Sequence, residues 1–253
     1  MRPKIAILLS TLATTSTIMF MPGVASATSS SAGTTTSSSS AINPSPTTNS
    51  AQNFTSAQSA LETQIQDRIS KLEGLSSKIA SSTTLTPTDR TTLSALVGSS
   101  STGDLGTLNA TLTKVQSDTT MAELKADRTA VIPDLRVYVV VAPVVNITVT
   151  ADKITYINSL ITSIEPNVST VVTDNGNSAT DTTAYNQIQT NVTAITSSIT
   201  NIDSELGSLT PSAFNANPTG IHSQVLSMWQ SVKNDWATLK QDHQDIKTIT
   251  GIA

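Results

Sequence analysis

The stretch from Tyr185 to Leu209, YNQIQTNVTAITSSITNIDSELGSL, carries the most regular pattern in the chain. Its apolar residues recur at alternating spacings of three and four positions: Tyr185, Ile188, Val192, Ile195, Ile199, Ile202, Leu206 and Leu209. This spacing follows the turn of an α-helix and places all of these side chains along one narrow seam. A seam of this kind packs against neighbouring helices. The stretch therefore predicts a long helix within an all-α protein.

The same apolar rhythm recurs on both sides of this stretch. It runs through residues 61–79, 93–115, 124–138, 147–171 and 221–249. Short connections between long helices favour antiparallel neighbours. We therefore predict an elongated antiparallel helical bundle of about five long helices that occupies residues 53–253.

Local patterns mark where these helices begin and end. Thr86-Pro87 predicts a helix start, and Thr120-Met121-Ala122-Glu123 has the form of a capping box. Small polar residues interrupt the apolar stripe between Gly98 and Gly106. The segments Asp174–Asn177 and Pro211–Pro218 have the composition of turns.

Residues 137–149, VYVVVAPVVNITV, leave two interpretations open. Their β-branched residues favour strands, so a β-hairpin turning at Ala142-Pro143 is one alternative. A helix kinked near Pro143 is favoured, because the apolar spacing continues into the next segment and an isolated hairpin is only marginally stable. The apolar run Val137–Val145 is nine residues long, too short for a bilayer, which needs about 20. We expect no integral membrane segment after removal of the N-terminal segment described next.

Residues 1–27 have the three-part composition of a cleavable signal peptide. The opening MRPK is basic, and a mostly apolar run follows it. Ala25 and Ala27 supply small residues at positions −3 and −1 of a cut that would leave Thr28 at the new N-terminus. We therefore expect a secreted or extracellular protein, with cell-surface association left open.

Residues 28–52 are dominated by Ser and Thr and contain few apolar residues. Such a segment buries too little apolar surface to offset the entropy lost on ordering. We predict a disordered Ser/Thr-rich leader between the signal peptide and the helical domain.

Composition restricts the classes of partner. The chain has 253 residues, no Cys, a formal net charge of −4, and 13% charged residues. Nucleic-acid binding requires clustered Lys and Arg, so we expect no nucleic-acid partner. Aromatic residues make up only 3% of the chain, which argues against stacking surfaces for bases or sugars.

Two acidic groups are candidate cation sites. Asp242 and Asp245 flank His243, and Asp235 lies one heptad before Asp242, but a metal site needs several converging ligands. We interpret this group as a solvated helix face. Oxygen-bearing side chains at 174–181 do not follow the EF-hand order and are interpreted as a turn plus a helix cap.

No arrangement of residues points to catalysis, a cofactor or a metal. Ser is abundant without a placed base, no Gly-rich phosphate loop occurs, and neither His has a catalytic context. Trp229 and Trp236 are one heptad apart and are interpreted as core residues. Five Asn-X-Ser/Thr sequons occur, as expected by chance in such a composition: Asn53, Asn109, Asn146, Asn167 and Asn191.

Three segments resemble uncharacterised bacterial secreted helical proteins. They are MAELKADR at 121–128, DLRVYVVVAP at 134–143 with ADKI at 151–154, and DWATLKQDHQDI at 235–246. The resemblance implies a secreted helical domain and favours helix over hairpin at 137–149. It implies no activity and no functional residues.

The function expected from these features is non-enzymatic. We predict a structural or interaction module at or beyond the cell surface, with a protein or cell-surface partner of unknown identity and an unknown oligomeric state. The alternative is an extracellular protein that binds a small ligand or a metal between its helices.

Overall fold

The computed structural model of the chain describes residues 46–100 and 103–252. The predicted signal peptide, including Ala25, Ala27 and Thr28, lies outside the described residues, as does most of the predicted leader. The first helix begins at Pro46, before the expected start of the helical domain at residue 53.

All regular secondary structure in the described part of the chain is helical, as predicted. The eight α-helices are α1 (Pro46–Ser81), α2 (Pro87–Val97), α3 (Asp104–Ser117), α4 (Met121–Leu135), α5 (Ala142–Asp174), α6 (Ala179–Leu206), α7 (Pro211–Ala216) and α8 (Pro218–Thr250). A π-helix, Val137–Val141, precedes α5.

Four of these helices are long, rather than about five. The long helices are α1, α5, α6 and α8, which contain 36, 33, 28 and 33 residues. The second predicted segment is divided between α2 and α3 because Gly98 ends one helix and Gly103 caps the next. At Gly106 a Cβ atom would overlap the carbonyl oxygen of Ser100, so the close approach of these two chain segments requires glycine.

Both predicted helix starts are confirmed by their hydrogen bonds. Thr86 Oγ1 accepts the amide N–H of Asp89 at 3.1 Å. Thr120 Oγ1 accepts the amide N–H of Glu123 at 3.3 Å, and the Glu123 carboxylate accepts that of Thr120 at 2.9 Å. Each cap satisfies helix-terminal amides that have no partner within the helix.

The favoured helical interpretation of residues 137–149 is confirmed, and the alternative hairpin is wrong. The backbone passes from Arg136, which has a positive φ of 40°, into the π-helix and then directly into α5. Pro143 is the second residue of α5, so its missing amide N–H falls where the π-helix changes to the α-helix and not within the regular part of α5. The segment is therefore helical despite its β-branched composition.

The continuous helical run from Val137 to Asp174 is much longer than the apolar run Val137–Val145. Among the described residues, one helical run, Val137–Asp174, is long and apolar enough to cross a membrane, and 72% of its most apolar window is buried inside the protein. The short run Val137–Val145 is only the beginning of this helix, so its length does not by itself exclude a span. Mostly buried core helices of soluble proteins pass the same test.

Two apolar cores meet near the start of α5. The first lies among α1 to α4 and the π-helix, with Leu72, Val97, Leu108 and Val141 fully buried. The second lies among α5, α6 and α8 and contains Ile154, Ile161, Ile195 and Met228. The predicted seam of α6 faces the second core: Ile188, Ile195, Ile199 and Ile202 are buried, and Tyr185, Val192 and Leu206 pack against it.

Threonine and serine hydroxyls on the exposed helix faces bond to their own helices. On α6, Thr190, Thr193 and Thr200 each donate to the carbonyl four residues earlier, at 2.9 to 3.1 Å. The same bond occurs on α5 and α8, at Thr170 and Thr248. This local bonding lets a helix carry many hydroxyls on its surface without leaving their donors unpaired.

Candidate functional site

The interpretation of Asp235 and Asp242 as members of a solvated helix face is wrong. Asp235 is 8% exposed and Asp242 is fully buried. They belong to a stripe on α8 with a seven-residue period, whose other members are Ile221, Met228 and Ile249, all buried. Heptad spacing places all five on the side of α8 that meets the core. The heptad spacing of these residues in the sequence indicates burial, whereas the lack of enough converging metal ligands led to the solvated interpretation.

Each of these aspartates accepts a hydrogen bond from α6. Asn191 Nδ2 donates to Asp242 Oδ1 at 2.6 Å, and Ser198 Oγ donates to Asp235 Oδ2 at 2.7 Å. Along α6 the donors ascend in number while the acceptors on α8 descend, so these two helices run antiparallel. We call these two hydrogen bonds the rungs. They lie one heptad apart and cross the interface between α6 and α8.

A third polar residue joins α5 to the same layer. Asn158 on α5 is 5% exposed, and its Nδ2 donates to the Val192 carbonyl at 3.0 Å and to Thr196 Oγ1 at 3.1 Å. We call the set Asn158, Asn191, Ser198, Asp235 and Asp242 the polar layer. Its members are held on three different helices and surrounded by the second apolar core.

Burial dominates the electrostatics of the polar layer. It raises the pKa of Asp242 to about 6, with smaller contributions in the same direction from Asp245 and Glu165, while the bond from Asn191 acts against it. Burial also raises the pKa of Asp235, and the bond from Ser198 opposes the shift. Asp242 Oδ2 is buried and has no hydrogen-bond partner. Among the described residues, the hydrogen-bond donors to these two carboxyls are neutral, and no cation contributes to the pKa shift of either one.

A small groove opens beside the rung formed by Ser198 and Asp235. It has a volume of about 150 Å³, lies between α6 and α8, and is lined by Ser198, Asn201, Ile202, Glu205, Ser227, Met228 and Ser231. Ligand pockets for larger organic molecules measure about 300–1,000 Å³. The size and the hydroxyl-rich lining of this groove suit a few water molecules or one small polar molecule.

The remaining residues of the predicted acidic groups do not converge. His243 is half-buried, its Nδ1 has no partner, and burial lowers its pKa, with a smaller contribution from Lys247. No group of three or more His, Cys, Asp or Glu side chains within residues 46–100 and 103–252 is arranged to hold a metal ion.

The interpretation of residues 174–181 as a turn plus a helix cap is confirmed. Ser178 caps α6 by accepting the amide N–H of Asp181 at 3.1 Å. Asn175 Nδ2 donates to Asp181 Oδ2 at 3.0 Å and to the Ile249 carbonyl at 3.2 Å. An amide donor therefore faces Asp181, and the turn is fastened to the end of α8.

Both tryptophans belong to the second core, as predicted. Trp236 is 8% exposed, Trp229 packs against the buried cluster, and neither indole N–H has a hydrogen-bond partner. Lys153 lies over the Trp236 ring, 5.5 Å from its centroid. All five sequon asparagines lie within α-helices, and one of them, Asn191, is part of the polar layer.

Two further buried carboxyls fasten other helices. Asp152 Oδ2 accepts the amide N–H of Thr86 at 2.8 Å and so ties α5 to the start of α2. Burial raises the pKa of Asp152 to about 6. Asp127 is 3% exposed and pairs with Lys114, whose own side chain is largely exposed. Neither arrangement was evident from the sequence, because each depends on contacts between distant segments.

The comparisons with known proteins return no relative. No model of a known protein family, no curated protein and no solved structure matches this chain.

Proposed function

We propose that this chain is an exported, non-enzymatic structural or interaction module that acts at or beyond the cell surface as an elongated antiparallel helical bundle. The observation that carries the proposal is how its buried polar residues are used. Asn158, Ser198 and Asp235 make hydrogen bonds between helices, as Asn191 and Asp242 do. Polar groups committed in this way fix which helices pair and in what register.

Rigid spacing is the property that such a layer provides. A helix rises about 1.5 Å per residue, so the 33 residues of α5 and of α8 each extend over roughly 50 Å. A module of this length with a fixed helix register can hold a partner at a set distance. The partner proposed is a protein or another component of the cell surface.

The export part of the proposal rests on the sequence of residues 1–28. It is tested by separating cells of the native organism into cytoplasm, envelope and medium, then determining the N-terminus of the protein by mass spectrometry. We expect the protein outside the cytoplasm with Thr28 as its first residue. Retention in the cytoplasm with an intact N-terminus would contradict the proposal. A matched variant with Ala25→Asp and Ala27→Asp should remain uncleaved.

The structural part is tested by capture of partners on the mature protein. Chemical crosslinking on intact cells, followed by mass spectrometry, should join exposed lysines of this chain to the same surface component in repeated experiments. A protein that remains free in the medium and crosslinks to nothing would contradict an interaction role at the surface.

A second candidate function is binding of a small polar molecule, and the groove between α6 and α8 is the observation that favours it. A thermal-shift screen with metal ions, polyols and amino acids tests this candidate. Ser227→Trp should fill the groove and abolish any shift, while Ser223→Trp, outside the lining, should preserve it. A shift that survives Ser227→Trp would place the ligand elsewhere.

A further inference from the structure

The polar layer places a carboxyl group where its ionised form is poorly accommodated. Asp242 is fully buried, and among the described residues only one of its oxygens has a hydrogen-bond partner, the neutral amide of Asn191. An ionised carboxylate in an apolar interior is unfavourable unless it is paired and fully hydrogen-bonded. A protonated carboxyl in the same place carries no charge, so its burial costs much less free energy.

The groups around Asp242 strengthen this preference. On its own helix the interacting charge is Asp245, and on α5 it is Glu165, both of which are carboxyls. On α6 the facing group is the Asn191 side chain, and α7, which also contacts α8, contains no titratable residue. Like charges nearby disfavour a second negative charge, and among the described residues the charges that act on the pKa of Asp242 are both negative.

We propose that the polar layer is a proton-linked lock, in which protonation of Asp242 tightens the packing of α5, α6 and α8 and ionisation loosens it. The protein is then more stable in mildly acidic surroundings than at neutral or alkaline pH. The inference concerns the fold alone, so it stands whether or not the proposed export and surface role are correct.

The direction of the pH dependence of stability follows from the pKa of Asp242 in the folded and in the unfolded protein. Burial raises the pKa of Asp242 to about 6 in the folded protein, whereas an unfolded Asp titrates near 4. Between these values the folded protein holds a proton that the unfolded chain has released. The stability contributed by this group is therefore fully present below about pH 4 and is lost as the pH rises through about 6.

Other carboxyls act in the same direction. Burial raises the pKa of Asp152 to about 6 and that of Asp104 to about 6, and it also raises the pKa of Asp235. The wild-type protein should therefore take up more than one proton on folding within this pH window. Asp242 is distinguished by its complete burial and by its position between three helices.

The test is urea unfolding of the mature protein at pH 4.5, 5.5, 6.5 and 7.5, with Asp242→Asn and a control. We expect the wild-type unfolding constant to increase with pH between 4.5 and 6.5. One proton taken up on folding changes the unfolding constant by at most about tenfold per pH unit. Asp242→Asn should remove a pH dependence of up to this size. Asp245→Asn removes a carboxyl from the same helix at a less buried position and should leave most of the dependence intact.

Two results would overturn the proposal. One is wild-type stability that is flat or increases from pH 4.5 to 7.5, and the other is a pH dependence in Asp242→Asn equal to that of the wild type. If Asp242→Asn fails to fold, the carboxyl ¹³C shift of Asp242 in the wild-type protein decides the matter. A titration midpoint above pH 5 supports the lock, and a midpoint near 4 or lower refutes it.

Discussion

Replacement of Ile195 by Ala tests whether the α6 seam holds the second core together. Ile195 is 1% exposed and lies on α6 between the two rungs at Asn191 and Ser198. Its removal leaves a cavity in the second core, among residues of α5, α6 and α8. Buried Ile→Ala changes typically cost about 2–5 kcal/mol. For a domain of this size, each kcal/mol lowers the melting temperature by roughly 2–4 °C, so we expect a decrease of roughly 4–20 °C.

The assay is thermal unfolding followed by circular dichroism, with urea unfolding as a second measure. Thr193→Ala is the matched control, because Thr193 is exposed on the same helix and its hydroxyl bonds only to the carbonyl of Gln189. Its effect should stay within about 0.5 kcal/mol. Ile195→Asp should prevent folding altogether. A melting temperature for Ile195→Ala that equals that of Thr193→Ala would refute the seam as the source of stability.

Three further substitutions test other parts of the fold. Gly106→Ala should lower the melting temperature, because the new Cβ overlaps the Ser100 carbonyl oxygen; an unchanged melting curve would contradict the close approach. Lys114→Met removes the partner of the buried Asp127 and should lower the melting temperature by several degrees, while Lys114→Arg should largely preserve it. Thr120→Ala removes an N-cap and should cost about 1 kcal/mol in urea unfolding, whereas Thr120→Ser should cost far less.

Local and periodic features of the fold were predictable from the sequence. The seam of α6, the cap at Thr86 and the capping box at Thr120 each depend on residues within one or two helical turns of one another. Interactions at this range are encoded by spacing and residue type alone. Their geometry in the structure agrees with the prediction for that reason.

The polar layer could not be predicted in the same way, although half of its pattern was visible. Asp235 and Asp242 stand at the heptad positions of Met228 and Ile249, which marked them as buried. Their partners Asn191 and Ser198 lie 51 and 37 residues away from Asp242 and Asp235, and only the antiparallel register of α6 and α8 brings them together. Residue type favoured an exposed face, and helix packing overrode that preference.

The junction at residues 136–143 was predicted correctly as helix, although its residue types favour strands. Its β-branched composition made a hairpin plausible, yet strand propensity depends strongly on packing against neighbouring strands. Here the neighbours of Val137, Val140 and Val141 are helices, and these side chains are buried in the two apolar cores. Tertiary context therefore decided the conformation of a segment whose local sequence left it open.

The hydroxyl groups of the exposed helix faces affect how the protein responds to ionic strength. Thr190, Thr193 and Thr200 donate to their own backbone, so α6 presents methyl groups and oxygen lone pairs to water in place of paired charges. Dissolved salt weakens interactions between exposed charges, and α6 contains only three charged residues, Asp181, Asp203 and Glu205. The electrostatic energy of this surface should therefore change little between low and high salt concentration. The pairing of the helices depends on buried contacts that dissolved ions do not reach.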